Sequence, residues 1–140
     1  MINWETRIRH SADGIIMPSY KVVDDITRVR EEPLSIRGAV GVYTQWLVSR
    51  DDGSKYAVRR QVVKPGGKAP LHRHAYAETF IVLRGVGRMT VDNETIDVKP
   101  GMCIFVKPNT PHSIINVGNE DLELITVISY EEDMSIDVLE

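Results

Sequence analysis

The sequence predicts an all-β domain, a sandwich or a small barrel, on three observations. Turn chemistry recurs at short intervals: Asp52-Gly53, Pro65-Gly66-Gly67, Arg84-Gly85, Asp92-Asn93, Pro100-Gly101, Pro108-Asn109 and Gly118-Asn119. The runs between these turns are short and rich in Val, Ile, Thr and Tyr, which suit a half-buried pleated surface. No stretch carries a long helical apolar period. The length of 140 residues favours one domain. A chain of this size buries enough surface to fold without disulfides. Its 42% hydrophobic and 26% charged residues are those of a globular protein.

The elements follow in order. Residues 1–38 read as an N-terminal arm with short strands at 14–17 and 21–23, and at most one helical turn over 24–30. An arm of this kind is expected to lie along a sheet edge or against a partner subunit. Residues 40–49 and 56–63 flank Asp51-Asp52-Gly53-Ser54 as a hairpin-like pair. A strand at 78–83 follows a histidine-rich segment. Strands at 88–91 and 95–98 join across Asp92-Asn93-Glu94, and strands at 102–106, 113–116 and 122–129 complete about eight, enough to close a small barrel. The barrel domain is placed at residues 39–130. Residues 131–140, opening on Glu131-Glu132-Asp133, read as an acidic tail that frays.

Charge and composition narrow the function. A net charge of −3 with the signs interspersed gives no basic field for nucleic acid and no polybasic membrane patch. No apolar run approaches the length of a membrane span, and Ile15-Ile16-Met17 is too short for a signal core. The single cysteine, Cys103, excludes an intrachain disulfide and favours a reducing compartment. The expectation is a cytoplasmic protein. Between Met102 and Ile104, Cys103 reads as a small buried hydrophobe and not a nucleophile.

One constellation carries chemistry. His72 and His74 stand two apart, and Glu78 follows at the same parity. On a strand these side chains share a face. His112 follows a Lys107-Pro108-Asn109-Thr110-Pro111 turn that would aim it at the first cluster. Imidazole and carboxylate suit Mn, Fe, Ni, Cu or Zn. Four protein ligands on an octahedral ion leave two positions for water, oxygen or substrate, an open site of the catalytic type. The remaining histidine, His10, reads as a surface residue.

These residues resemble the two motifs of the cupin superfamily. Gly66-x5-His72-x-His74-x3-Glu78-x6-Gly85 matches the first motif at every defined position. Gly101-x5-Lys107-x-Asn109-x2-His112-x3-Asn116 matches the second, with Lys107 in place of proline and Asn109 in place of glycine. Asn tolerates positive φ better than other non-glycine residues, so the turn survives. The resemblance implies a double-stranded β-helix (jelly-roll) barrel and a divalent metal held by His72, His74, Glu78 and His112, with Mn or Fe favoured. The stretches Gly38-Ala39-Val40-Gly41-Val42 and Tyr56-Ala57-Val58-Arg59 look like those of the small single-domain cupins of thermophiles and archaea, some of which bind manganese. A similar subset carries histidine where this chain has Glu78, so metal preference is not carried across.

Parity assigns the pocket walls. Phe80 and Val82 share the ligand face; Thr79, Ile81 and Leu83 point outward and leave an apolar face for the arm or a second copy to cover, hence an expected homodimer. On the strand 56–63 parity only separates Arg59 and Gln61 from Arg60; the resemblance to the small cupins implies that Arg59 and Gln61 face inward, where the arginine can clamp a substrate carboxylate. Tyr43, Trp46 and Tyr76 are aromatic residues near the mouth, with Tyr76 in the substrate set. Asn116 reads as structural. The leading function is a metal-dependent dioxygenase or related oxidoreductase on a small oxygen-bearing molecule, with Glu78 available as a base. A redox-neutral isomerase or lyase on a small carbonyl or sugar compound is a second reading, and a non-catalytic binding or sensing protein a third.

Overall fold

The computed structural model describes residues 19–140, together with the backbone of two short strands before them. These are β1 (Arg9–Ser11) and β2 (Gly14–Ile16), paired antiparallel with each other. The side chain of His10 lies outside the described residues. After them come β3 (Glu32–Pro33), β4 (Val40–Val48), β5 (Tyr56–His74), β6 (Glu78–Arg84), β7 (Gly87–Val91) and β8 (Glu94–Val98). Then follow β9 (Cys103–Val106), β10 (His112–Asn116), β11 (Leu122–Ser129) and β12 (Ile136–Val138). Every pairing is antiparallel, and the ten-strand sheet runs β8-β7-β10-β5-β11-β6-β9 with β3, β4 and β12 on its flanks. It curls strongly into the half-barrel of a double-stranded β-helix.

Strand β5 organises the site. Its first half lies between β4 and β11, and its second half between β10 and β12. Sequence signals at Pro65-Gly66-Gly67 suggest a turn ending the strand at Val63. Instead the strand bends there and continues to His74. Gly66 supplies the positive φ of 76° that the bend requires. The bend carries one chain from the barrel core into the ligand segment.

Inward residues alternate with outward ones as a half-buried sheet requires. Val42, Val63, Val82, Met89, Val98, Val106, Leu122 and Leu124 form the core below the site. A smaller cluster of Ala57, Tyr76 and Ile128 packs beside the ligand loop. Asn116 is buried and structural: its amide donates to Val63 O (2.8 Å) and Glu120 O (2.7 Å). Asn109 takes φ 62° in its turn.

Three expectations are corrected. Residues 21–23 form no strand; a single 3₁₀ turn, Ile26–Arg28, follows them, capped by Asp25. That segment is held by side chains and not by a ladder, since Gln45 on β4 donates to Thr27 O and Val29 O. The C-terminal segment does not simply fray. Ile136–Val138 pairs as β12 with His72–His74 on β5, and Leu71 N–H donates to the Glu140 carboxylate. Cys103 is exposed, because on β9 the alternation puts Ile104 and Val106 inside and Cys103 and Phe105 outside.

Gly85, last of the first-motif positions, has φ 80°, and a Cβ there would collide with the Asp121 carbonyl. A Gly85→Ala variant is therefore expected to lose more than ~1–2 kcal/mol, the left-handed cost for an L-residue plus the clash. Urea unfolding checks this; an unchanged midpoint would count against it.

Candidate metal centre

The site forms where β5, β6 and β10 bring their inward faces together. His72 and His112 are directly opposite in the β5–β10 ladder. His74 lies two residues on, and a tight connection over 75–77 returns the chain to Glu78 at the start of β6. All four side chains are buried. The ligand atoms of the three histidines lie within 4.8 Å of one another. Glu78 Oε1 is 3.1 Å from His74 Nε2 and 3.5 Å from His112 Nε2.

Second contacts fix how the rings present themselves. His72 Nδ1 is 2.6 Å from Pro70 O, His74 Nδ1 is 2.8 Å from Tyr76 O, and His112 Nδ1 is 2.8 Å from Thr110 O. A carbonyl only accepts, so each Nδ1 carries the proton. Each Nε2 then turns a lone pair toward the cavity, as metal-ligating histidines do. His112 Nε2 is buried with no hydrogen-bond partner. The Nε2 atoms of His74 and His112 and the Glu78 carboxylate are therefore acceptors facing acceptors. A divalent cation among them resolves that conflict, and the donor set is one such ions take. The residues present fit the metal that the motifs imply.

The neighbours hold the ligands in place. The Tyr76 ring stacks on His74 at 3.7 Å between centroids, and burial, with Glu78 nearby, pushes its hydroxyl up to about 12. Arg59 faces inward from β5, and its Nη2 donates to Glu78 Oε2 at 2.6 Å while its Nε donates to Thr126 Oγ1 at 3.0 Å. Gln61 also faces inward and donates to Thr44 Oγ1. Phe80 lies below His112, with ring centroids 6.0 Å apart. Burial alone would raise the Glu78 pKa, but the Arg59 charge beside it outweighs burial and holds the carboxyl well below its usual range.

The cavity is lined by the four candidate ligands, Arg59, Gln61 and Tyr76, and by apolar side chains that include Leu34, Ile36, Phe80 and Ile136. The cavity has a volume of about 40 Å³, against the ~10–15 Å³ that one water needs. The opening therefore suits a ligand of few heavy atoms. The sequence reading missed Thr126, Leu34, Ile36 and Ile136. Thr126 had a signal, a polar residue at the buried parity of β11 between Leu124 and Ile128. Ile136 had none, because its place depends on a pairing 62 residues away in sequence, with His74.

Burial, and then the neighbouring His112, bring the His72 pKa down to about 4 from 6.5. In the metal-free protein the unfolded chain takes up this proton first. The stabilisation from His72 is complete above pH 6.5 and is lost as pH falls toward 4. The expected loss is on the order of 3 kcal/mol, at no more than ~1.4 kcal/mol per pH unit. Glu78, also depressed, continues the loss below the ordinary carboxylate range. Urea midpoints between pH 8 and 4 check this, and a flat profile would contradict it.

The cupin domain family profile matches residues 59–128, so the chain belongs to the cupin family. An uncharacterised protein of Methanocaldococcus jannaschii is 40% identical over 74 residues, which is 52% of this chain and 59% of the relative. A predicted oxalate decarboxylase of Thermotoga maritima is 30% identical, with a TM-score of 0.71 over 79% of this chain and 100% of that one. The polyketide cyclase RemF of Streptomyces resistomycificus superposes with a TM-score of 0.79 over 86% of each chain; at 23% identity this shows the shared fold. Among the described residues no helix is long and apolar enough to cross a membrane.

Proposed function

We propose that this cupin is a metal-dependent oxidoreductase of the dioxygenase type, acting on a small organic molecule that reaches the metal through oxygen. His72, His74, His112 and Glu78 would hold one divalent ion, Mn or Fe by preference. The metal would supply a Lewis-acidic, redox-capable centre for oxygen and substrate. One observation carries the reading. Beyond the four ligands, the described cavity wall offers only Arg59 and Tyr76 as titratable groups. Arg59 is paired with Glu78, and Tyr76 is stacked on His74 with its hydroxyl pushed up to about 12. Both oxygens of Glu78 are engaged, Oε2 by Arg59 at 2.6 Å and Oε1 near His74 and His112 at 3.1 and 3.5 Å. Chemistry that depends on a free side-chain proton shuttle is poorly served here. Chemistry centred on the metal is well served.

The residues have definite tasks in this reading. Arg59 and Tyr76 orient two of the ligands. Phe80, Leu34, Ile36 and Ile136 exclude water from one side of the bound molecule. Gln61 offers an amide toward it. The second reading, a redox-neutral isomerase or lyase on a small carbonyl or sugar compound, draws support for its lyase form from the likeness to the predicted oxalate decarboxylase. An oxygen-uptake screen on Fe- and Mn-loaded protein, run against diketones, diols, thiols and small carboxylic acids, separates the two. Oxygen consumed in step with substrate supports the first. Turnover that persists without oxygen and with zinc overturns it in favour of the second. The homodimer is proposed on the outer faces of β6 and β9, where Ile81, Leu83 and Phe105 are exposed. Light scattering should give a dimer mass and not 15.8 kDa.

A further inference from the structure

We propose that Arg59 is a positioning residue that keeps Glu78 a one-oxygen ligand, so that the metal retains an open position. The inference rests on the metal reading above. The two carboxylate oxygens of Glu78 have different surroundings. Oε1 lies between His74 Nε2 and His112 Nε2, at 3.1 and 3.5 Å. Oε2 accepts from Arg59 Nη2 at 2.6 Å, a buried charge-assisted bond. A carboxylate with both oxygens free can chelate a divalent ion with the pair of them. Here the second oxygen would first have to leave its guanidinium.

The guanidinium is itself held on two further sides. Arg59 stands in register with Thr126 on β11 and with Trp46 on β4. Its Nε donates to Thr126 Oγ1 at 3.0 Å, and its Cζ lies 5.3 Å from the centre of the Trp46 ring. Arg59 is 8% exposed, Glu78 4% and Thr126 0%, so water does not compete for these bonds. Strand β11 sits between β5 and β6, and Arg59 reaches across it to meet Glu78. A side chain fixed to three neighbouring strands is a brace on the carboxylate. That is a different task from the clamp on a substrate carboxylate expected from the sequence.

Mn²⁺ alone is the probe, added to the full-length chain after stripping with chelator. Water-proton relaxation counts the waters on the bound ion. With one carboxylate oxygen and three imidazoles on an octahedral ion, two positions remain. Arg59→Met frees Oε2 to take one of them, so the relaxation enhancement should fall to about half. Arg59→Lys restores a cation beside Oε2 and should stay near the wild-type value. Thr126→Val removes only the hydroxyl that orients the guanidinium and should fall between. It also carries the test if Arg59→Met does not fold. Equal enhancement in Arg59→Met and the wild type, or in Thr126→Val and the wild type where Arg59→Met does not fold, with Mn²⁺ bound in both, overturns the brace and leaves the metal site standing. A wild type that binds no Mn²⁺ removes the metal reading, and the brace with it.

Discussion

Replacing His112 with alanine is expected to lower Mn²⁺ affinity by at least about 100-fold, more than the 10–100-fold typical of losing a partner behind a ligand. His112 is the one candidate ligand on β10, and its Nε2 has no hydrogen-bond partner. Nothing else among the described residues is placed to substitute for it. The fold should survive, because the core of Met89, Leu122, Leu124 and their neighbours lies below the site and does not depend on the ion. The same reasoning covers metal removal. At a hundredfold excess over its dissociation constant the ion adds ~2.7 kcal/mol to the wild type. Chelator should therefore lower the melting temperature while leaving one cooperative transition, and the His112→Ala variant should keep no more than about 0.4 kcal/mol of the metal-dependent gain. Calorimetric titration and thermal melts check both. A variant that binds like the wild type, or a barrel that unfolds on chelation, would contradict the account.

Arg59→Met is expected to cost ~3–5 kcal/mol in the metal-free protein, the loss typical when one member of a buried ion pair is removed. Both side chains are buried, at 9% and 5% exposure, so screening by solvent does not reduce the effect to the small values of surface pairs. The damage comes from the Glu78 charge left without its cation. Arg59→Met combined with Glu78→Gln removes that charge as well and should recover most of the loss. Denaturant unfolding of the two single variants and the double variant closes the cycle. A single-variant cost under ~1 kcal/mol, or simple additivity in the double, would show that the pair is not coupled as the geometry requires.

The all-β class and the identity of the clustered histidines were legible because they depend on local features. Alternation on β6 placed Glu78, Phe80 and Val82 inside and Ile81 and Leu83 outside, as found. The spacing of His72 and His74 fixed a shared face before any tertiary contact was known. Alternation left two possible faces for Arg59 and Arg60, and the likeness to small cupins chose the one that places Arg59 and Gln61 inside, where both are buried. What spacing could not show was how Arg59 is used, since its partners Glu78 and Thr126 lie on two other strands. The continuation of β5 through Pro65-Gly66-Gly67 was hidden for a related reason. Turn residues mark a change of backbone direction, and a bend inside a paired strand satisfies the same chemistry. Cys103 was misplaced because two apolar neighbours suggested burial, whereas strand parity decides exposure. The pairing of β12 beside the ligands had no local signal, as three residues of acidic tail gain order only from the edge of β5 they meet.

The central claim is that three imidazoles and one carboxylate share a single cation. Anomalous diffraction from crystals grown with Mn²⁺ tests it most directly. The account requires one strong peak per chain, bonded to the Nε2 atoms of His72, His74 and His112 and to Glu78 Oε1, with Oε2 still on Arg59. A peak elsewhere, or no peak while Glu78 and the three rings keep their present places, would contradict it.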